Sequence, residues 1–205
     1  QFFAALGDAL PNLLRPGHRL LAGLARGGRI LCRLPRRPLF HELRRLLDHL
    51  GIARPMQALH EHNEERAVDT VIAALESGND VALVSDAGTP LVSDPGYRLV
   101  QAAHESGIAI SPVPGPSAVT AALSVSGLPT DRFAFEGFPP ARPVARRKWL
   151  EARAADARTL VFFEAVHRID ATLADMVELF GADRQAFVGR ELTKLHEQCR
   201  RASLG

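Results

Sequence analysis

Cysteine is scarce in this chain: Cys32 and Cys199 are the only two in 205 residues, far apart and outside any C-x-x-C pair. That spacing suggests no disulfide framework, and with no histidine at zinc-ligand spacing it offers no structural metal site. A reducing cytoplasm is the expected compartment. No apolar run approaches the roughly 18 residues that span a bilayer, and no secretory signal is visible, so no membrane partner is expected. Lysine is as rare, with Lys148 and Lys194 alone, and the modest net charge of +2 rests on arginine. Heavy Arg and Ala usage can reflect coding bias, so charge by itself does not point to nucleic acid. Also missing are G-x-x-x-x-G-K-[ST], G-x-G-x-x-G and G-x-S-x-G, which removes the commonest phosphate loops and the serine-hydrolase elbow.

What is present suits a globular protein. With 46% hydrophobic and 23% charged residues, the chain can bury a substantial core as one domain or two small ones. It starts at Gln1 rather than Met, which leaves open that it is a fragment.

Residues 1–54 differ from the rest. Seven arginines and no acidic residue lie between Arg15 and Arg37, and neither a helical stripe nor strand alternation is visible before Phe40. A targeting segment, a basic nucleic-acid-binding arm and a stretch of poor sequence-to-structure agreement compete as readings. Scarce serine weakens the first, and Pro11, Pro16, Pro35 and Pro38 prevent one continuous amphipathic helix. A helix is expected from Phe40 to Leu50, stopped by Gly51.

After Gly51 apolar spacing alternates between periods of two and of 3.6. Strands are expected at Met56–His60, Val81–Val84 and Ile108–Val113, with helices at Asn63–Ser77 and Pro95–Ser106. This alternation predicts βαβ units and a parallel sheet. A second α/β unit follows: strands at Phe133–Glu136, Thr159–Phe163 and Gln185–Gly189, helices at Ala145–Ala155 and Ile169–Phe180. The expected domains are 1–113 and 114–205, the second with three strands.

The stretch Leu83-Val84-Ser85-Asp86-Ala87-Gly88-Thr89-Pro90-Leu91-Val92-Ser93-Asp94-Pro95-Gly96 turns abruptly from apolar to small, polar and turn-forming residues. It reads as a loop at the carboxyl end of a strand, where open α/β sheets bind ligands; a plain strand-to-helix connection is the competing reading. Asp94 is the expected N-cap of the next helix, with Pro95 at its first position. Pro114-Gly115-Pro116-Ser117 opens an Ala-rich helix whose free N–H groups suit a polar ligand edge, or merely punctuates two subdomains.

Three polar clusters follow strands: His60–Glu65, Glu164 with His167 and Arg168, and Arg190–Lys194. Such ends share one edge of a parallel sheet, so the clusters can converge. His60 and His62 lack a third ligand at metal spacing, and no metal is expected; Asn63 is the expected N-cap of its helix. Arg142, Arg146, Arg147 and Lys148 form either a phosphate-tracking face or an ordinary solvated one.

Several motifs occur in order: Ala58-Leu59-His60-Glu61-His62-Asn63-Glu64, Leu83 to Gly96, Pro114-Gly115-Pro116-Ser117-Ala118 and Gly127-Leu128-Pro129-Thr130-Asp131-Arg132-Phe133. Phe135-Glu136-Gly137-Phe138, Phe163-Glu164-Ala165-Val166-His167-Arg168 and Arg190-Glu191-Leu192-Thr193-Lys194 complete the set. Together, over residues 46–196, they resemble the tetrapyrrole methylase superfamily, and within it the bacterial enzymes that methylate a cytidine ribose 2′-hydroxyl in 16S rRNA. The resemblance implies a tetrapyrrole-methylase-like α/β fold: two α/β domains with a cofactor cleft between them, here incomplete at both ends. It implies S-adenosylmethionine as cofactor, set against Asp86, Ala87, Gly88, Thr89, Pro90 and Val92, against Ser117 and Ala118, and near Phe163, Leu192 and Thr193. The implied partner is 16S rRNA or the small ribosomal subunit, with a homodimer left open. Charge and position, rather than the resemblance, place RNA beside His60, His62 and the helix of Arg142, Arg146, Arg147 and Lys148, with Arg190 or Lys194 on phosphate. His60, His62, Glu164 and His167 are the candidates for accepting or orienting the hydroxyl proton.

Two departures accompany the match. The family's Thr-Pro-Ile-Gly-Asn-Leu loop and Glu-Asp-Thr-Arg motif are absent, and Ala9–Leu13 and Ile30–Arg36 stand in their places. Residues 1–45 are therefore expected to reflect a shifted frame or a misplaced gene start, and a lost first strand would leave an unpaired sheet edge. The family also continues beyond the segment that ends at Gly205. A tetrapyrrole C-methyltransferase and an inactive RNA-binding remnant are the alternative functions.

Overall fold

The computed structural model describes residues 29–33, 37–60, 63–85 and 88–205, the first of these and 37–42 as backbone. They divide into two compact units between Pro116 and Ser117.

In the first unit, β1 (Arg29–Arg33) lies between β2 (Met56–Leu59) and β3 (Val81–Val84) in a three-stranded parallel sheet, with Ile30 opposite Met56 and Arg29 opposite Val81. Helices α1 (Arg37–His49), α2 (Glu64–Glu76) and α3 (Tyr97–Glu105) follow β1, β2 and β3 in turn. Successive strand residues face opposite ways. Accordingly Ala82 and Val84 of β3 pack with Leu43 and Leu47 of α1, whereas Val81 and Leu83 pack with Val71 of α2 and Leu99 of α3. Helices thus cover both faces, as a parallel sheet requires. Leu59 and Val71, each 1% exposed, anchor the second cluster; burying such side chains contributes about 1.5–3 kcal/mol each.

Three expectations for this unit are corrected. Strand β1 falls where no alternation was visible: Ile30-Leu31-Cys32 is too short to show a period, and pairing on both sides supplies what local propensity does not. The sheet therefore has a central first strand instead of an open edge there. Residues 108–113, expected as a strand, have no ladder among the described residues. Pro112 and the following Pro114 lack N–H donors, and the stretch is largely exposed. Helix α3 begins at Tyr97 with Gly96 as its N-cap, not at Asp94-Pro95.

The second unit runs α4 (Ala118–Ser126), β4 (Phe133–Gly137), α5 (Pro143–Glu151), β5 (Thr159–Phe162), α6 (Ile169–Phe180), β6 (Gln185–Arg190) and β7 (Gln198–Ser203). Strands β4 and β5 pair parallel; β6 and β7 form an antiparallel hairpin from Gln185 opposite Ser203 to Arg190 opposite Gln198. The three expected strands become four. Gln-Cys-Arg-Arg-Ala-Ser has no apolar alternation, and all six residues are exposed, so only the backbone ladder reveals β7. Helices α5 and α6 pack around Leu150, which is fully buried, with Met176 and Thr172 also inside.

Candidate functional site

The loop after β3 is held from several directions. Ser85, buried at the strand end, donates its hydroxyl to Gly88 O at 3.0 Å, and Thr89 Oγ1 donates to Pro116 O at 3.5 Å. Leu91 and Ser93 adopt positive φ of 71° and 60°. Such backbone costs on the order of 1–3 kcal/mol per residue, persists only where surroundings over-determine it, and clusters at ligand sites. Gly88, Thr89 and Val92 are exposed, and Pro90 is half-buried. The loop thus combines constrained backbone with solvent-exposed residues at Gly88, Thr89, Val92 and Ser93. Asp86 and Ala87 lie outside the described residues.

After β2, the half-buried His60 donates its backbone N–H to Asn63 Oδ1 at 2.8 Å, and Asn63 Nδ2 donates to Ala58 O at 3.0 Å. Asn63 stands at the N-cap of α2 as expected, its carbonyl accepting Ala67 N at 2.9 Å, but its side chain ties the strand end and makes no cap bond. Its neighbour Glu64 reaches instead to the start of α3, accepting from Gly96 N and Arg98 N at 3.1 Å each. His62 lies outside the described residues.

In the second unit a cavity of about 450 Å³ runs between β5 and β6, with apolar walls from Leu123, Val161 and Met176. It meets every residue from Thr159 to Glu164 and from Gln185 to Gly189. Because successive strand side chains alternate, it reaches these strands at their edges, where backbone donors and acceptors join the apolar lining. Of the expected cofactor contacts, Ala118, Phe163 and Leu192 line it. Phe163 is fixed by edge contacts with Phe135 at 4.9 Å and a tilted one with Phe138 at 5.5 Å. Ser117 sits at the N-cap of α4 without a side-chain cap bond. Thr193 is exposed in the β6–β7 turn, its N–H donating to Glu197 Oε2.

The catalytic candidates fare differently. The Glu164 side chain is 5% exposed; its Oε1 pairs with Arg168 at 2.6 Å and accepts Ala165 N at 2.7 Å, while Oε2 accepts the Thr172 hydroxyl at 2.7 Å. A carboxylate so occupied ties the end of β5 to Arg168 and α6 while it lines the cavity. His167 is exposed and sits one residue before the Arg168 that Glu164 holds.

Among the basic residues, Arg146 is corrected outright: it is 5% exposed and bonds Asp175 and Ala171 O, so it faces the helix interface instead of solvent. Arg147 bridges Asp175 at 2.8 Å and Glu178 at 2.7 Å, bonds that raise its pKa. Burial pushes the Asp175 carboxyl up, but hydrogen bonds from Arg146 and Arg147 outweigh it and hold the group below the usual carboxylate range. Arg142, Lys148, Arg190 and Lys194 remain exposed. Among the described residues no group of three His, Cys, Asp or Glu side chains is placed to hold a metal ion, and no helix is long and apolar enough to cross a membrane.

Sequence reasoning missed Glu64 and Thr172 as organising residues. Glu64 carried a signal, since it closes the His60–Glu64 motif; Thr172 carried only its i,i+8 spacing from Glu164.

Residues 9–205 match the model of a family described as Tetrapyrrole (Corrin/Porphyrin) Methylases. The chain is 58% identical over 154 residues to a ribosomal RNA small subunit methyltransferase I of Xylella fastidiosa, covering 75% of this chain and 56% of that protein. It is 53% identical over 156 residues to a Pseudomonas aeruginosa protein of the same name, covering 76% and 55%. The chain thus spans little over half the length of the curated relatives it matches. Among solved structures, the methyltransferase CobJ superposes with a TM-score of 0.59 at 17% identity, covering 91% of this chain and 79% of that one. The cobalamin synthesis related protein CobF from Corynebacterium diphtheriae gives 0.54 at 15%, with the same coverage. These two likenesses concern the fold.

Proposed function

The chain belongs to the tetrapyrrole (corrin/porphyrin) methylase family, and from that premise we propose that it acts in S-adenosylmethionine-dependent 2′-O-methylation of a cytidine ribose in 16S rRNA, in the cytoplasm. The observation that carries this reading is the loop Gly88–Gly96 after β3, held to Ser85 and Pro116 and carrying positive φ at Leu91 and Ser93. The relatives' printed names favour ribosomal RNA over a tetrapyrrole as the acceptor.

The residues assigned to the cofactor suit it. In the first unit, Asp86, Ala87, Gly88, Thr89, Pro90 and Val92 would offer backbone polar groups and small surfaces. In the second, Ser117, Ala118, Phe163, Leu192 and Thr193 would offer one aromatic wall and small or apolar contacts. The bound sulfonium supplies an already activated methyl group. What remains for the protein is alignment of the ribose oxygen, exclusion of water and removal of a weakly acidic proton. His60, His62, Glu164 and His167 are the proposed proton acceptors or hydroxyl orienters, Glu164 being held by Arg168 and Thr172. Arg142, Arg147, Lys148, Arg190 and Lys194 are the proposed phosphate contacts.

Calorimetric titration with S-adenosylmethionine, followed by transfer of its labelled methyl group to small ribosomal subunits or to a porphyrinoid, tests the reading. Binding with label on ribosomal RNA is the expected result. Label on the porphyrinoid alone would transfer the assignment to a tetrapyrrole C-methyltransferase, and a folded protein without cofactor binding would be an inactive remnant.

A further inference from the structure

The two polar stretches of the first unit, His60–Glu65 and Ser85–Gly96, are joined by one carboxylate. Glu64 lies 32 residues before Gly96, yet its Oε1 accepts from both Gly96 N and Arg98 N at 3.1 Å. These N–H groups at the start of α3 have no partner within the helix, and the N-cap residue, Gly96, has no side chain to serve them. The adjacent Glu65 pairs with Arg98 and reinforces the approach of α2 to α3. Gly96 is also closely packed: a Cβ there would stand 2.9 Å from Leu83 Cδ2 and 3.1 Å from Leu91 Cδ1. The loop end is therefore pulled toward α2 by hydrogen bonds and backed by the side chains of β3 and of the loop itself. Positive φ at Leu91 and Ser93 just upstream needs such a fixed end to persist.

We propose that Glu64 is a positioning residue that clamps the loop Gly88–Gly96 in its cofactor-receiving form, a role that rests on the reading of that loop as the S-adenosylmethionine cradle. A loop released from the clamp spends only part of its time in the competent form, and apparent affinity falls by that fraction. Glu64 touches no reacting atom. Its loss is therefore felt in KM for the cofactor and not in kcat.

The test compares Glu64→Ala, Glu64→Gln and Glu64→Asp in the full chain. Gln keeps an acceptor oxygen at the same reach, whereas Asp keeps the charge but falls one methylene short. Ala and Asp are expected to raise KM for S-adenosylmethionine about tenfold, with kcat for RNA methylation within about twofold and Gln within about threefold of the parent. In cofactor-free protein, amide exchange at Gly96 and Arg98 accelerates in Ala and Asp and stays near the parent rate in Gln. Unchanged exchange in Ala overturns the clamp, and fast exchange with unchanged KM overturns its link to the cofactor. Should Ala not fold, rescue by Asp in place of Gln overturns the geometric argument in favour of bulk charge. A parent protein that binds no cofactor yet shows the exchange pattern upholds the clamp and overturns the cradle reading alone.

Discussion

Arg146 Nε donates to Asp175 Oδ2 at 2.7 Å, joining α5 to α6 through side chains only 6% and 12% exposed. The same carboxylate takes a second bond from Arg147 at 2.8 Å. Removing one partner of a buried pair leaves an uncompensated charge, at a cost of about 3–5 kcal/mol. Because Arg147 still serves Asp175, Arg146→Ala is expected at the low end, about 3 kcal/mol, in urea denaturation. Arg142→Ala, on the exposed side, leaves stability within about 0.5 kcal/mol. A stable Arg146→Ala protein with weakened RNA binding would return Arg146 to the surface.

Asp175 also sets an acid limit. Its folded pKa is depressed below the unfolded value of about 3.9, so its contribution is present above that value and lost as pH falls through the folded pKa. Thermal unfolding followed from about pH 5 to about pH 2 should show stability falling at the acid end, with a shallower fall in Asp175→Asn. Asp156 does not confuse the readout if Asp156→Asn serves as background. Its carboxyl, held at about 2 by hydrogen bonds from Arg158, lies on the surface.

Gly96→Ala is expected to destabilise the first unit by about 2–3 kcal/mol, the sum of a φ of +127° and a Cβ pressed against Leu83. Gly107→Ala separates the two causes, since its φ is +67° and nothing lies within 4 Å of the added carbon. It should cost about 1 kcal/mol. Equal losses at both positions would mean that the Leu83 contact relaxes freely.

Lys194 and Arg190 stand exposed at the β6–β7 hairpin. Alanine at either position should weaken binding to small-subunit rRNA and reduce the slope of log K against log salt by about 0.7–0.9 each. Melting temperature should not change. An unaltered salt slope would remove the hairpin from the RNA-binding face.

How much could be read without the structure depends on whether a signal is local. Helix α6 was legible end to end: Ile169 follows a polar Arg168, buried Thr172 and Met176 recur at i,i+4, and Gly181 stops the turn. The loop after β3 was legible because Gly, Pro and hydroxyl residues crowd behind an apolar run. Strands β1 and β7 were not, since one is a three-residue apolar run between arginines and the other a polar hexamer. Both are defined by the strands they pair with: Ile30 of β1 meets Met56, far along the chain, and β7 is revealed only by its hairpin ladder to β6, from Arg190 opposite Gln198 to Gln185 opposite Ser203.

The amino-acid sequence by itself determined the motif order, the α/β alternation, the position of the Ser85–Gly96 loop and the family resemblance, because each rests on spacing within a few residues. Only the tertiary structure decided where the polar side chains of those motifs spend their hydrogen bonds. The Asn63 side chain at the N-cap of α2 turns back to His60 and Ala58, Glu64 serves the start of α3 where Asp94 was expected, and Glu164 bonds Arg168 and Thr172. Arg146 turned from the expected surface to a buried partner for the same reason. A side chain chooses among acceptors by distance, and distance across 29 residues of chain from Arg146 to Asp175 is set by packing, not by sequence position.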